Sequence, residues 1–120
     1  MDIEQVREFA LTRPNVTEDL PFGPDLLAFR IGGKIFMAVA LTSEEPKITL
    51  KLTPEESENL REQYNAIVPA FHWNKKHWND LYIEQIPNAL TNELIQKAYT
   101  LVRSGLPRKI KDELRNESGE

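Results

Sequence analysis

The chain has 120 residues, of which 40% are hydrophobic, and this is enough for one stable core but too little for two. The absence of cysteine excludes a disulfide framework and a thiolate zinc site, and nothing in the composition requires an oxidising compartment. The formal net charge of -4 excludes a protein that coats nucleic acid through its overall charge, so any phosphate-binding surface must be local.

The first residues carry acids, at Asp2 and Glu4, where a secretory signal peptide would carry basic and then apolar residues. No later segment approaches the roughly 20 apolar residues of a membrane span. We therefore expect a cytoplasmic protein that does not enter a membrane.

The first predicted element is a helix over about residues 2–12. Its apolar positions recur at helical spacing: Ile3, Val6, Phe9 and Ala10. Asp2 can accept hydrogen bonds from the free amides of the first turn, and Gln5 can complete a capping box. Pro14 ends the helix, because the residue before a proline is pushed out of the α region. Residues 15–25 contain two prolines and a glycine and predict an irregular connection.

A β-hairpin is predicted next. From Leu27 to Ile31, large apolar side chains alternate with Ala28 and Arg30. Gly32 and Gly33 then supply the positive φ angles of a tight turn. The returning strand, Lys34–Leu41, is apolar on both faces, which favours a central position in the sheet. Alternation places Met37 on one face, with Ile35, Val39 and Leu41, and Phe36 on the other, with Ala38 and Ala40.

A third strand is predicted over Lys47–Leu52. Its core-facing positions are Ile48, Leu50 and Leu52, and its solvent-facing positions are Lys47, Thr49 and Lys51. Three antiparallel strands with one solvated face follow from this pattern.

Helix-start signals coincide at Thr53, which can act as the N-cap. Pro54 suits the first helical position and Glu56 closes a capping box, so we predict a helix over residues 54–64. Residues 66–70 are compatible with a brief strand, and the aromatic and branched residues of 78–83 predict another.

The last predicted helix begins near Thr91 and ends at Gly105, ahead of Pro107. Its apolar stripe is Leu94, Ile95, Ala98, Leu101 and Val102. The predicted organisation is a single α+β domain over residues 1–107.

Residues 108–120 form a charged C-terminal tail. Ile110 and Leu114 are its only large apolar residues, so the tail is either frayed or a weak helical extension.

The segment from Phe71 to Trp78 is the richest in functional residue types. Between these two aromatic residues it contains both histidines, a second tryptophan, an asparagine and two adjacent lysines: His72, Trp73, Asn74, Lys75, Lys76 and His77. Lysine ammonium groups suit phosphates, and aromatic rings suit packing or stacking on bases. The alternative interpretation is that Trp78 anchors the core and the lysines belong to a solvated turn.

The two histidines do not predict a metal site or an active site. His72 and His77 are separated by about 140° on a helix and lie on opposite faces of a strand, so they cannot share a metal ion. Asp80 or Glu84 could pair with a histidine for proton transfer, but no nucleophile stands in a motif context. We therefore predict no enzymatic activity, no metal and no cofactor.

Several short pieces occur in an order and spacing that resemble the MmcQ/YjbR family of small bacterial proteins. They are Pro21-Phe22-Gly23, Gly33-Lys34-Ile35-Phe36, Lys51-Leu52-Thr53-Pro54-Glu55 and Asn74-Lys75-Lys76-His77-Trp78. With the N-terminal helix they extend over about residues 2–107. The resemblance implies a CyaY-like α+β fold, in which an antiparallel sheet packs against helices, and a double-wing mode of DNA binding. The binding role that it implies falls on the stretch from Lys75 to Trp78.

The leading hypothesis is a monomeric, non-enzymatic DNA-binding module. Lys75 and Lys76 contact phosphates, while Asn74 and His77, beside His72, supply hydrogen bonds. A second, weaker basic strip consists of Lys34, Lys47 and Lys51. DNA should avoid the predicted second helix, whose acids are Glu55, Glu56, Glu58 and Glu62. The alternative is a protein–protein or small-ligand module with no nucleic-acid role, which the acidic pI favours.

Overall fold

Six strands and four α-helices make up the computed structural model, which describes residues 1–118 and side chains as far as residue 116. The helices are α1 (Ile3–Leu11), α2 (Pro54–Gln63), α3 (Asn88–Ser104) and α4 (Arg108–Ser118). The strands are β1 (Thr17–Asp19), β2 (Leu26–Ile31), β3 (Lys34–Ala40), β4 (Lys47–Lys51), β5 (Ile67–Pro69) and β6 (Trp78–Tyr82). The predicted α+β class, an antiparallel sheet packed against helices, is confirmed.

The described strands form one antiparallel sheet in the order β1-β2-β3-β4-β6-β5. β3 lies between β2 and β4, as its two apolar faces predicted. The predicted hairpin turn is also confirmed, with φ angles of 58° at Gly32 and 82° at Gly33 that glycine adopts without strain. A Cβ atom on Gly32 would lie 2.6 Å from Leu106 Cδ1, so this turn packs closely against the segment after α3.

The main core lies between one face of the sheet and the helices. The β2–β3 ladder shifts register between Phe29 and Arg30, where a β-bulge interrupts the alternation. The consecutive residues Phe36 and Met37 therefore both enter the core. The Phe36 ring meets Tyr99 of α3 edge-on, with ring centroids 5.7 Å apart. Strict alternation placed Phe36 and Met37 on opposite faces, and that prediction is wrong because of the bulge.

The opposite face of the sheet carries a row of small and charged side chains. Ala38, Thr49 and Asp80 are successive cross-strand neighbours in this row. Thr49 was predicted to face solvent, but it is buried, and its Oγ1 donates a hydrogen bond to Asp80 Oδ1 at 2.7 Å. The prediction is wrong because the side chains that bury Thr49 belong to neighbouring strands, which the pattern of β4 alone does not reveal.

Capping boxes begin α1 and α2, as predicted. Asp2 Oδ1 accepts a hydrogen bond from the Gln5 N–H at 2.8 Å, and Gln5 Oε1 accepts one from the Asp2 N–H at 3.0 Å. Thr53 and Glu56 make the same reciprocal pair at the start of α2.

Two predicted boundaries need correction. α3 begins at Asn88, one turn before Thr91, because Pro87 takes the N-cap position and its carbonyl accepts from the Thr91 N–H at 3.1 Å. The connection predicted as irregular over residues 15–25 contains β1, Thr17–Asp19, which pairs with β2. Three polar residues give no strand pattern, so only the neighbouring strand makes this segment extended.

The segment after Pro107 is helical over Arg108–Ser118, which is the second of the two alternatives considered for it. Leu114 is buried, Ile110 packs against the core, and Asn15 Nδ2 donates to the Leu114 carbonyl at 3.3 Å. These contacts attach α4 to the rest of the fold. Within residues 1–118, no helix has the length and apolar character needed to cross a membrane.

Candidate functional site

An open cleft of about 760 Å³ lies at one end of the sheet. β2 and β4 end here and β3 and β6 begin here, because neighbouring strands run in opposite directions. The β2–β3 turn, the start of α2 and the C-terminal end of α3 complete the walls. The topology thus gathers segments between positions 30 and 106 around one concavity.

The ionisable side chains that line the cleft, among the described residues, are all basic. They are Arg30, Lys34, Lys51 and His77. Arg30 is held in place, because its Nε lies 2.9 Å from Asp19 Oδ1 and its Nη1 donates to the Gly33 carbonyl at 3.0 Å. Lys34 is exposed and Lys51 is half-buried. Because Asp19 pairs with Arg30, the positive charge of the cleft comes mainly from Lys34 and Lys51, which converge on one concave surface of a chain of net charge -4.

Both tryptophans of the chain line the cleft. The rings of Trp73 and Trp78 are tilted by 35° with centroids 4.4 Å apart, and both residues are half-buried. Leu101 of α3 and Leu106, two residues beyond the end of that helix, add aliphatic surface. The sequence left open whether Trp78 is a core anchor or a contact residue, and its half-buried position at the cleft allows it to serve as both.

Backbone pairing fixes His77 and Lys51 at the mouth of the cleft. The Leu52 N–H donates to the His77 carbonyl at 2.7 Å, and His77 Nδ1 lies 3.3 Å from the Leu52 carbonyl oxygen. A carbonyl oxygen can only accept, so Nδ1 carries the proton in this contact. Lys51 lies directly opposite Trp78 in the β4–β6 ladder. The register of these two strands therefore sets a cation beside an aromatic ring.

Asn74 shapes the loop between β5 and β6. Its Oδ1 accepts a hydrogen bond from the Lys76 N–H at 3.0 Å, and its carbonyl accepts from the Trp78 N–H at 2.9 Å. Asparagine side chains commonly close turns in this way, two residues ahead along the chain. Asn74 therefore positions the lysine pair, in addition to the ligand contact predicted for it.

Arg61 of α2 ties this loop to the helix. Its Nη2 donates to the Lys75 carbonyl at 2.6 Å, and its Nε donates to Asn79 Oδ1 at 2.8 Å. Asn79 is fully buried and donates in turn to Ser57 Oγ at 2.9 Å. Burial lowers the pKa of Arg61, against the opposing effect of the Glu58 charge. This network holds the loop in one position before any ligand arrives.

A second groove, of about 400 Å³, adjoins the cleft at Pro54, which lines both. Its other lining residues are Glu58, Arg61, Lys75 and Lys76. The sequence predicted that DNA would avoid α2, yet the lysine pair lies against the first turns of that helix. A largely basic surface therefore runs from the cleft past Pro54 to the lysine pair, with Glu58 beside it.

Phe71 and His72 project from the same loop. Phe71 is 75% exposed, and Lys75 Nζ lies 4.9 Å from the centroid of its ring. The His72 ring meets Phe71 edge-on at 5.2 Å between centroids. The loop thus presents aromatic and cationic groups together at the surface.

Comparison with known proteins identifies the relatives of this chain. The model of the YjbR family matches residues 11–101. The chain belongs to the YjbR family. Protein YbdF of Escherichia coli O157:H7 is 40% identical over 107 residues, which cover 88% of each chain. YjbR of Escherichia coli K12 is 24% identical over 108 residues, which cover 89% of this chain and 92% of that protein, and both relatives are described as uncharacterized.

Solved structures of YjbR-type folds agree with the architecture. The chain superposes on the crystal structure of a Deinococcus radiodurans protein with a DUF419 domain at a TM-score of 0.87 and 28% identity. The match covers 94% of this chain and 87% of that one. A crystal structure of a Pseudomonas syringae protein matches at a TM-score of 0.73 and 25% identity, over 84% of this chain and 98% of that one.

This YjbR-family chain brings together most, but not all, of the predicted site residues. Those in the cleft are Lys34, Lys51 and His77. Those in the adjoining groove are Lys75 and Lys76, while His72 and Asn74 belong to the loop beside them. Lys47 lies at the opposite end of β4, where its Nζ is 3.8 Å from Asp80 Oδ2. The predicted basic strip along β4 is therefore split between the two ends of the strand.

Arg30 and Arg61 were not among the predicted site residues, although both contribute to these surfaces. Arg30 lies two residues before the hairpin glycines, and this position could have drawn attention to it. Arg61 carried no signal, because it stands among the glutamates of α2. In the part of the chain that the structure describes, no three His, Asp or Glu side chains are grouped so that they could hold a metal ion.

Proposed function

We propose that this YjbR-family protein is a non-enzymatic nucleic-acid-binding module that holds DNA at the basic cleft. One observation supports it above the others: among the described residues, every ionisable side chain lining the cleft is basic, although the chain is acidic overall. A protein of net charge -4 attracts DNA only where its cations are concentrated, since phosphate neutralisation is the source of sequence-independent affinity.

Four lysines supply the phosphate contacts in this proposal. They are Lys34 and Lys51 in the cleft and Lys75 and Lys76 in the adjoining groove. The basic surface continues from the cleft past Pro54 into the groove. Such a surface suits a polymer with regularly spaced phosphate charges better than a single isolated cation would. His77 lines the cleft and Asn74 lies in the loop that carries Lys75 and Lys76, so both can form hydrogen bonds with backbone or base atoms of the DNA.

The first test is a fluorescence-anisotropy titration with labelled mixed-sequence DNA, both duplex and single-stranded. Four phosphate contacts should weaken binding about 150-fold for duplex and about 50-fold for a single strand between roughly 50 and 200 mM salt. Gel analysis of the same samples should recover the DNA uncleaved. No binding at the lower salt concentration, or binding that does not respond to salt, would overturn the proposal.

Lys51 and Lys47 provide a matched pair of variants. They stand on the same face of β4, both half-buried, but only Lys51 reaches the cleft. Lys51→Ala should lower the affinity and reduce the log–log salt slope by about 1, whereas Lys47→Ala should leave both unchanged. Equal effects of the two variants would show that overall charge, and not the cleft, determines binding.

A small anionic ligand is the second candidate, because a concavity of about 760 Å³ lies within the range of roughly 300–1,000 Å³ typical of small-molecule sites. A mononucleotide that binds as tightly as a longer strand, with Lys75→Ala and Lys76→Ala having no effect, would favour this candidate over the DNA proposal.

A further inference from the structure

We propose that the preferred ligand is single-stranded DNA, and that its bases stack on Phe71 and enter the tryptophan-lined cleft. This inference rests on the proposed nucleic-acid function and specifies the form of the nucleic acid.

The shape of the site favours an unpaired strand. Proteins that read duplex DNA commonly insert a protruding helix or ribbon into a groove, because paired bases expose only their edges. Here the positive surface is concave, and its interior is apolar, with Trp73 and Trp78 beside Leu101 and Leu106. A paired base must first be unpaired and unstacked to enter such a cleft, which costs free energy, whereas a base of a single strand already has a free face to offer to it.

The order of groups along the path also fits a single strand. Phe71 is 75% exposed, and Lys75 Nζ lies 4.9 Å from its ring centroid. Trp73 stands two residues further along and belongs to the cleft. An exposed ring beside a cation allows a base to stack on Phe71 while Lys75 neutralises a neighbouring phosphate, and the cleft at Trp73 can receive a second base.

The stacking loop is already ordered. The Ala70 N–H donates to the Trp78 carbonyl at 3.0 Å, and the Trp73 N–H donates to the Ala70 carbonyl at 3.2 Å. Arg61 binds the Lys75 carbonyl from α2. A loop fixed on both sides loses little conformational freedom when a strand binds, which preserves the affinity gained from stacking.

Phe71 and Phe22 form a matched pair for the decisive test. Phe22 is 71% exposed and lies between β1 and β2, near the end of the sheet opposite the cleft. The probes are a labelled oligodeoxythymidylate of about 15 nucleotides, long enough for known single-strand sites, and a duplex of the same length. Wild-type protein should bind the single strand at least about tenfold more tightly than the duplex. Phe71→Ala should weaken single-strand binding about 5- to 150-fold, the loss of one stacked base, and Phe22→Ala should not change it.

Intrinsic fluorescence gives an independent readout, because both tryptophans of the chain are in the cleft. Stacked bases should quench this emission in proportion to the anisotropy change. Duplex binding as tight as single-strand binding, with Phe71→Ala silent and Lys51→Ala still harmful, would overturn this inference and leave the proposed function intact. Absence of binding to either probe would overturn both. Single-strand binding without quenching would place the strand outside the cleft and refute the stacking arrangement.

Discussion

Lys51 and Trp78 lie directly opposite each other on β4 and β6, at the end of the sheet where the cleft opens. Cross-strand neighbours of an antiparallel pair have their Cβ atoms only about 5 Å apart. The register of these two strands thus places a cation beside an aromatic ring, although the two residues are 27 positions apart in the sequence. Disturbing either residue should therefore affect both the stability of this end of the sheet and ligand binding.

Trp78→Ala should lower the free energy of unfolding by about 1–3 kcal/mol, less than the 3–5 kcal/mol expected for a fully buried ring. The reason is that Trp78 is half-buried and stacks on Trp73. Urea denaturation followed by circular dichroism measures the change. Trp78→Phe should recover most of the stability, and an unchanged midpoint for Trp78→Ala would show that the ring contributes no packing.

Asn79→Ala should destabilise the fold by about 2 kcal/mol, because it leaves buried polar partners unsatisfied. Asn79 is fully buried, accepts from Arg61 and donates to Ser57. Chemical denaturation tests this, with exposed Asn65→Ala as the control. Amide hydrogen exchange should also become faster in the loop that holds Lys75. A variant that keeps both its stability and slow exchange in this loop would contradict the role of the Arg61–Asn79–Ser57 network.

Gly32→Ala should destabilise more than Gly33→Ala. Both glycines have positive φ angles, so each alanine meets a left-handed strain of about 1–2 kcal/mol. Only at Gly32 would the new Cβ lie 2.6 Å from buried Leu106, and overpacking of this kind adds about 1–3 kcal/mol. Thermal unfolding of the two variants compares the effects. Equal melting temperatures would show that the α3–α4 segment can move away without loss.

Glu56 should make the stability of the protein sensitive to acid. Burial raises the pKa of Glu56, but hydrogen bonds from Thr53 and Lys97 outweigh it and hold the pKa below its ordinary value of 4.5. The carboxylate is therefore stabilised in the folded state. Its contribution is fully present above about pH 4.5 and is lost as the pH falls through the lower folded-state value.

Glu56→Gln should accordingly destabilise the protein at pH 7, and the difference from wild type should shrink as the pH falls below 4.5. Urea midpoints measured at several pH values test this. Glu55→Gln, an exposed neighbour in the same turn, is the control. If the difference in urea midpoint between wild type and Glu56→Gln stays constant with pH, the hydrogen bonds do not favour the ionised carboxylate over its protonated form.

Local signals were sufficient for much of the fold. The Gly32-Gly33 turn and the capping box at Thr53 were predicted because a turn type and a helix start depend on neighbouring residues. The strand Thr17–Asp19 and the burial of Thr49 were not predicted. Pairing with β2 makes the first segment extended, and Asp80 of a neighbouring strand accepts the hydrogen bond of Thr49. Both effects come from residues distant in the sequence.

The candidate site divides in the same way. The segment from Phe71 to Trp78 drew attention through its residue types alone, and its lysines, histidines and aromatic rings are together because they are consecutive in the chain. Lys34 and Lys51 lie in the cleft with His77, whereas Lys47 does not. This difference depends on which end of each strand lies at the cleft. Sequence spacing cannot distinguish the two ends of a strand until its neighbours and their register are known.

The sequence by itself determined the helix caps, the hairpin turn and the acidic net charge, because these follow from the preferences of adjacent residues and from composition. Only the tertiary structure decided that four basic side chains line one cleft beside two tryptophans. The physical reason is that β2, β3, β4 and β6 converge at one end of an antiparallel sheet, where α3 also ends, and this convergence is set by long-range strand pairing and core packing.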